Sequence, residues 1–463
     1  MFVRLLFGGA AIIAMVGSAE AQTLQDALAI AYNSNPEILA QREQVRSVDE
    51  TYAQARAGRL PTVDGNAQVG FQSSRSAGTI TLQGALVDVS ETDDVKPRSG
   101  GATITQNIYS GGRVRAQLRQ ATAQGQAARA QLYNIEQQIF LAVVTAYTDV
   151  RRAEEEVRIR TNNVTVLRRQ LQAAQDRFDV GEITRTDVAQ AEARRAGAEA
   201  DLALAQARLD AARANYEQAV GEAPGTLIAE SPLPQMPNSL GDAINFALED
   251  NPTILQLEAI ERATKLGEKI EFAGFLPQAN ISVGIRRAQS FGQEGFSSQS
   301  FDITTQFRVP LYDAGLTRSR FRQAKINTSR AHYDVEAARR NVQQQVAIAW
   351  ADFQSAQRQI ASAQEQAKAN EIAFDGVEQE LRVGLRTTLD VLDAEQELLN
   401  SRLLLITAQR DSYLAAHRLL QAMGALTPDT LGVNVSLYDP EAYRQEVRGL
   451  KSLVSVKVDP LKE

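Results

Sequence analysis

The sequence predicts a mainly α-helical protein with a transmembrane β-barrel part, built from two tandem repeats of helix, strand, strand, long helix and helix. Three observations lead to this fold class. A segment near the start of the chain returns in its second half. Each copy then has a long helical pattern, which in the first copy runs from residue 112 to residue 180 without a proline. Each copy also holds two short segments in which apolar and polar side chains alternate, as is typical of strands.

The repeat is clearest in the segment Leu24–Ile38, which returns as Leu240–Ile254. Both copies carry an Asn-Pro dipeptide, which ends one helix and starts the next. The spacing between matching residues is 216 as far as Pro61 and 203 from Tyr109 onward. The first copy therefore has 13 extra residues (216 − 203) between these two positions. That segment is rich in Ser, Gly and acidic residues, so we expect a solvated loop of variable length there.

The chain divides into five parts on these patterns. Residues 1–21 are typical of a secretory signal peptide, with Arg4 before an apolar run and the small residues Ala19 and Ala21 at the cleavage site. A transmembrane anchor is the alternative interpretation of that run. Elsewhere no uncharged apolar run reaches about 18 residues, so we predict no other spanning helix. The remaining parts are a first repeat at 22–223, a linker at 224–238, a second repeat at 239–425 and a C-terminal tail at 426–463.

Four segments show the alternation of β-strands, at about 62–75, 100–109, 279–288 and 300–311. Segments of this kind suit a transmembrane barrel with a wet interior, and equally two half-buried soluble hairpins. Four strands cannot close a barrel, and an open edge in lipid leaves backbone groups unpaired. A membrane barrel would therefore need several chains, since two would give eight strands and three would give twelve.

The long helical patterns have apolar or small residues at a seven-residue period, which indicates coiled-coil packing. Alanine-rich seams let such helices approach closely and form a thin wall. At about 1.5 Å per residue, the first pattern would form a rod of roughly 100 Å. A duplicated unit in a trimer would place six similar repeats around one axis.

Each copy has a tight hairpin tip between its long helix and the helix that returns beside it, at 179–187 and at 382–393. Both tips contain a glycine that ends one helix, a threonine that caps the next and an aspartate that completes a capping box. These residues are Gly181, Thr184 and Asp187 in the first copy and Gly384, Thr387 and Asp390 in the second. The tips also differ, because only the second carries Arg386 and Asp393, and the first has Gln190 at the position of Asp393.

Composition limits the possible functions. The net charge of −7 and the pI near 5.3 argue against nucleic acid as a partner. The chain has no cysteine, which excludes disulfides and thiolate chemistry. Its two histidines, His332 and His417, lack the spacing of a metal motif, and we predict both on helix surfaces. Because no catalytic, phosphate-binding or metal-ligand pattern is found, we predict no enzymatic activity and no cofactor.

On these residues the sequence resembles the TolC family of trimeric outer-membrane efflux channels, from Leu24 to about Gly424. The motifs that carry the resemblance are the two Asn-Pro starts, Val180-Gly-x-x-Thr184 with Asp187, and Val383-Gly-x-x-Thr387 with Asp390-Val-Leu-Asp393. The resemblance implies a twelve-stranded barrel shared by three chains and continued by a long α-helical barrel. It also implies an exit duct in the outer membrane of a Gram-negative bacterium, in contact with lipid and with a large periplasmic part. Such a duct serves an inner-membrane RND or ABC transporter through a periplasmic adaptor, or membrane fusion, protein. It would act in tripartite efflux or in type I secretion.

The resemblance also implies roles for individual residues of the tips. Asp390 and Asp393 match aspartates that form acidic rings at the periplasmic constriction. Arg386 matches an arginine that latches the closed entrance by bonding across to the positions of Thr186 and Asp187. The plainer interpretation is that the capping aspartates only cap helices and that Arg386 complements a helix C-terminus.

A family tyrosine that often joins this latch is replaced here by Leu381. The tip residues implied in adaptor contact, for which turn chemistry alone is the plainer explanation, are Val180, Gly181, Thr184, Val383, Gly384 and Thr387. A function of another class is also open at this point, namely a periplasmic helical scaffold that docks to envelope partners and conducts nothing.

Overall fold

The computed structural model of the protein describes residues 21–82, 84–229, 232–291 and 297–449. Most of the predicted signal peptide, including Ala19, lies outside these residues, and Ala21 is the first one described. The chain forms two compact units. The helical unit comprises the residues up to Gln41 together with Leu132–Pro252 and Arg339–Tyr438, and the strand-bearing unit comprises Arg42–Gln131, Thr253–Ala338 and the residues from Asp439 onward. Each unit therefore contains parts of both repeats.

The helices follow the order predicted for two repeats. They are α1 (Leu24–Ser34), α2 (Pro36–Ala57), α3 (Arg113–Asp179), α4 (Arg185–Val220), α5 (Leu240–Asp250), α6 (Pro252–Phe272), α7 (Leu316–Arg382), α8 (Thr388–Met423) and α9 (Ala442–Gly449), with a 3₁₀ turn at Ala273–Phe275. The long helices α3 and α7 have the same length, 67 residues, and so do the return helices α4 and α8, with 36. No helix among the described residues combines the length and the apolar character needed to cross a lipid bilayer.

The strands are β1 (Ala21–Gln22), β2 (Thr62–Val69), β3 (Gln72–Leu82), β4 (Ala85–Tyr109), β5 (Thr226–Leu227), β6 (Gln278–Phe291) and β7 (Ser297–Arg308). The short strands β1 and β5 pair in parallel, with Ala21 opposite Thr226. The longer strands form one antiparallel sheet in the order β2–β4–β6–β7, and β3 pairs with β4 beyond the end of β2. The predicted segments overlap the observed strands: 62–75 covers β2 and the start of β3, 100–109 lies in β4, 279–288 lies in β6, and 300–311 runs three residues past the end of β7.

One face of the sheet is apolar, because the register aligns like residues across strands. Ile104 of β4 lies opposite Val283 of β6, which lies opposite Ile303 of β7. In the described part of the chain this face is uncovered, and Val63 and Phe307 are 69% and 75% exposed. An uncovered apolar face that continues across several strands indicates a surface that contacts a membrane or another protein.

The prediction of a solvated loop in the insertion between the two predicted strands of the first repeat is wrong. The segment forms an antiparallel hairpin, in which Gln72 to Leu82 pair with Val95 to Ala85. A tight turn at Gly84, whose φ is +86°, joins the two strands. The Thr79 hydroxyl donates a 2.6 Å hydrogen bond to Asp88 on the facing strand. The many Ser, Thr and acidic residues are therefore strand residues of an exposed hairpin, which backbone pairing can hold without a buried face.

The core of the helical unit forms around Phe140, Tyr147 and Tyr216, which are fully buried. Aliphatic side chains from α1 and from the end of α8, such as Leu28 and Leu420, belong to the same core. The Tyr147 hydroxyl lies 2.8 Å from the carbonyl oxygen of Ile228, which satisfies its polar end. Tyr147 thus packs between helices with its hydroxyl satisfied.

The Asn-Pro dipeptide has the same structural role in both repeats. The side-chain amide of Asn35 donates to the carbonyl of Ala219 at 3.3 Å, and that of Asn251 donates to the carbonyl of Ala422 at 2.9 Å. Both acceptors lie in the last turn of a return helix, where carbonyl groups have no partner inside the helix. The dipeptide therefore ties the start of each repeat to the end of that repeat's return helix.

The C-terminal tail, to which the sequence gives no role, is packed onto the rest of the chain. Leu426 and Leu431 belong to the core of the helical unit. In the strand-bearing unit, Arg129 donates to the carbonyl of Pro440 at 3.1 Å and pairs with the buried carboxylate of Asp49 at 2.8 Å. Burial raises the pKa of Asp49, and the bonds from Arg129 oppose that shift. The described part of the tail thus contacts, through the Pro440 carbonyl, the arginine of a buried ion pair between α2 and α3.

The prediction that His417 lies on a helix surface is also wrong. Its side chain is fully buried in α8, where its ring lies 4.5 Å from the ring of Tyr413. Nδ1 lies 2.8 Å from the Tyr413 carbonyl oxygen, while Nε2 has no hydrogen-bond partner among the described residues. Burial lowers the pKa of His417, so the neutral ring is favoured.

Candidate functional site: the two hairpin tips

The two tips, both in the helical unit, have nearly the same backbone. Gly181 and Gly384 have φ values of +82° and +80°, which an L-residue adopts only with strain. Glu182 N–H donates to the Arg177 carbonyl and Leu385 N–H donates to the Glu380 carbonyl, each at 2.9 Å, so both helices close in the same way. These tips therefore repeat one turn, as predicted.

Both predicted capping boxes are confirmed. Thr184 caps α4 and Thr387 caps α8, and in each case the threonine backbone N–H and hydroxyl both donate to the aspartate three residues on, at 2.8 Å. These bonds lower the pKa of Asp187 and of Asp390, the latter with help from Arg386. Both carboxylates are thus ionised at neutral pH.

Apolar side chains are exposed at both tips. Val180 and Val383 are 72% and 71% exposed, and Leu385 is exposed as well. Behind the first tip a small core of Leu171, Ala174 and Ala191 holds α3 and α4 together. The first tip is therefore supported from within, and apolar side chains are exposed at the ends of both tips.

Arg386 does not contact the predicted latch residues within this chain. Its guanidinium donates to Glu380 at 2.8 Å, inside the second hairpin. This bond raises the pKa of Arg386. Thr186 and Asp187 lie in the first turn of α4, on the other hairpin.

Asp393 has a partner that the sequence does not predict. Arg194 of α4 donates to its carboxylate at 2.8 Å, which links the first hairpin to α8 of the second. Two residues further along α8, the buried carboxylate of Glu395 accepts a 3.1 Å bond from Asn163 of α3. Burial raises the pKa of Glu395. The sequence does show an arginine on one return helix and acidic residues on the other. It does not show which of these residues are in contact.

Known proteins resemble this chain in both sequence and fold. The sequence model of the family described as outer membrane efflux protein matches residues 27–222 and 243–425. The chain belongs to this family. The predicted resemblance is therefore confirmed, and it spans both repeats.

Individual members of the outer membrane efflux protein family match along nearly the whole chain. The outer membrane efflux protein BepC of Brucella suis is 32% identical over 432 residues, which are 93% of this chain and 91% of BepC. The outer membrane protein TolC of Vibrio cholerae is 26% identical over 457 residues, which cover 93% of this chain and 98% of that protein. A crystal structure of CusC has a TM-score of 0.74 at 18% identity, over 86% of this chain and 91% of CusC.

These matches establish the general function. The chain is a channel in the outer membrane of a Gram-negative bacterium that serves as an exit duct, with a large periplasmic helical part. Its mainly helical fold with a smaller set of strands is that of the solved channels. Members of the family are channels rather than enzymes.

Proposed function

We propose that three copies of the chain form one exit duct that is closed at the tips of the second hairpins. Each chain supplies the four ladder strands β2, β4, β6 and β7, so three chains supply twelve, enough to close a barrel with a wet interior. The uncovered apolar face of the sheet then contacts outer-membrane lipid. Closure also pairs the edge strands β2 and β7, which lipid would otherwise leave unsatisfied.

The main observation in support of a gate is the acidic pair Asp390 and Asp393. These residues lie three positions apart on α8 and hence on one helix face. Capping explains Asp390, but it does not require Asp393, and the first repeat has Gln190 there. Threefold assembly with the second hairpins innermost would gather six carboxylates around the axis. Their mutual repulsion destabilises the closed state, so the arrangement suits a cation-selective gate better than a structural role.

The latch of this gate is Arg386. We propose that in the assembled trimer it exchanges Glu380 for Thr186 and Asp187 of a first hairpin. The lowered pKa of Asp187 supports this role, because it keeps an anionic acceptor at that position. The Leu381 side chain cannot donate a hydrogen bond, so Arg386 forms the latch without a second side-chain donor at position 381.

The partners follow from the exposed tips and from the family. An adaptor protein in the periplasm would cover the apolar ends of the tips, where Val180 and Val383 lie beside Gly181 and Gly384, with Thr184 and Thr387 fixing the turns. Through that adaptor the duct would serve an inner-membrane RND or ABC transporter, for efflux or for type I secretion. The net charge of −7 disfavours a nucleic-acid partner.

The ring is tested by the ion selectivity of the reconstituted channel. We expect Asp390→Asn/Asp393→Asn to lower the cation-to-anion permeability ratio and to weaken block by trivalent cations, since asparagine keeps the size of the side chain without its charge. The matched control is Asp176→Asn/Asp179→Asn, which removes two carboxylates near the first tip. Equal selectivity in both variants and the wild type would refute the ring.

A further inference from the structure

The ion pair between Arg194 and Asp393 joins the two hairpins of one chain just behind the tips. The other exposed arginine–acid pairs near it stay within one hairpin, such as Arg168–Glu199 between α3 and α4. Arg194 and Asp393 instead connect α4 with α8 at 2.8 Å. Separation of α8 from the first hairpin must break this contact.

The repeat shows that this pair is an asymmetric feature of the chain. The position of Asp393 is Gln190 in the first copy, and the position of Arg194 is Glu397 in the second, at the common spacing of 203. The return helix of the first hairpin thus presents a cation where the return helix of the second presents an acid. Helix capping and turn geometry, which the two tips share, explain neither residue.

A second contact holds α8 on its other side. Glu395 is buried and accepts a hydrogen bond from Asn163 of α3, whereas Asp393 is exposed and bonds to α4. Residues two apart on a helix point in nearly opposite directions. The segment of α8 that carries the acidic pair is therefore fixed to both helices of the first hairpin.

We propose that Arg194 is a second, intrachain latch that also neutralises Asp393 while the duct is closed. This inference rests on the proposed gate at the second tip. With Arg194 in place, the two acids of each chain and this arginine carry one net negative charge instead of two. Movement of α8 away from α4 breaks the pair and leaves Asp393 unpaired, so opening raises the negative charge of the constriction.

The expected effect follows from the exposure of the pair, whose side chains are 41% and 59% exposed. An ion pair of this kind changes an equilibrium by about two- to five-fold. If the three chains open together, the factors multiply, to between about 10-fold and about 100-fold for the trimer.

The test uses the full-length trimer in planar bilayers. Arg194→Gln should raise the resting conductance and strengthen trivalent-cation block of the residual current. Arg168→Gln, the matched loss of an exposed arginine from a pair within the first hairpin, should change neither. The charge swap Arg194→Asp/Asp393→Arg should return the resting conductance toward that of the wild type, which neither single variant should do.

A distance measurement separates this inference from the proposed gate. The chain has no cysteine, so Gln190→Cys/Glu397→Cys places one spin label on α4 and one on α8 of each chain, and mixing labelled with excess unlabelled chains isolates the distance within one chain. We expect Arg194→Gln to increase the population of long distances between labels of one chain, and Arg168→Gln to leave it unchanged. An unchanged distance and an unchanged resting conductance would overturn the inference, whatever the ring variants show. A wild type that conducts but lacks cation preference would instead count against the gate.

Discussion

Gly424 lies so close to Asn251 that a Cβ at position 424 would come within 2.8 Å of the Asn251 Cα. Gly424 ends α8 with a φ of +83°, and the Asn251 amide is bonded to Ala422 in the same turn. Gly221 ends α4 in the same way, with a φ of +97°, but its Cβ would meet only the Ser34 hydroxyl at 3.5 Å. The two repeats therefore share a helix cap but differ in how tightly they pack against it.

That difference predicts unequal effects of the same substitution. Gly221→Ala should lower the free energy of unfolding by about 1–2 kcal/mol, the cost of a left-handed alanine. Gly424→Ala carries the same backbone cost plus displacement of the Asn251 backbone, so we expect a loss of about 2–5 kcal/mol. Thermal or denaturant unfolding of the two variants checks this, and equal losses would show that the backbone at 251 relaxes freely.

Removal of the latch arginine should loosen the closed duct. We expect Arg386→Ala to raise the resting conductance by up to about five-fold for each latch that is lost, because an exposed ion pair contributes up to about 1 kcal/mol. Arg382→Ala is the control, since Arg382 pairs with Glu378 at 3.1 Å within the same helix. Single-channel recordings measure both, and an identical resting current in the two variants would speak against a special role for Arg386.

Burial of His417 predicts a pH dependence of stability. Its pKa is lowered in the folded protein, so the unfolded chain binds the extra proton first, below pH about 6.5. Its contribution is thus complete above that pH and falls as the pH drops further, by at most about 1.4 kcal/mol per pH unit. The loss reflects the fact that Nε2 has no acceptor for the added proton among the described residues.

The variant His417→Leu removes the pH-dependent contribution of this histidine to the free energy of unfolding. The difference in unfolding free energy between His417→Leu and the wild type should therefore shift in favour of the variant as the pH falls from 7 to 5. His332→Leu is the control, because the His332 side chain is 57% exposed. The same shift in both variants would mean that burial of His417 is not its origin.

Local chemistry made the tips predictable from the sequence. A glycine, a threonine three residues later and an aspartate after three more define a helix end and a capping box without reference to the rest of the chain. The same holds for strands such as β6, where Ile281, Val283 and Ile285 alternate with polar residues. These features depend only on the spacing of nearby residues, so they can be predicted from a single sequence.

Contacts between distant segments were not predictable in the same way. Arg194 meets Asp393 across 199 positions and Arg129 meets Pro440 across 311, and no local pattern marks either partner. The β3–β4 hairpin was missed for another reason. Its sequence is rich in polar residues, as loops are. In this hairpin the backbone groups pair between the strands while most side chains remain in solvent, so polar residues are compatible with strands here.

The central claim is that the second hairpin, and not the first, lines the closed end of the duct. Since the native chain has no cysteine, Asp393→Cys and its repeat counterpart Gln190→Cys can each be treated with a charged thiol reagent during bilayer recording. The account predicts that the reagent alters the current through Asp393→Cys and leaves that through Gln190→Cys unchanged. An equal response at both positions, or a response at Gln190→Cys alone, would contradict it.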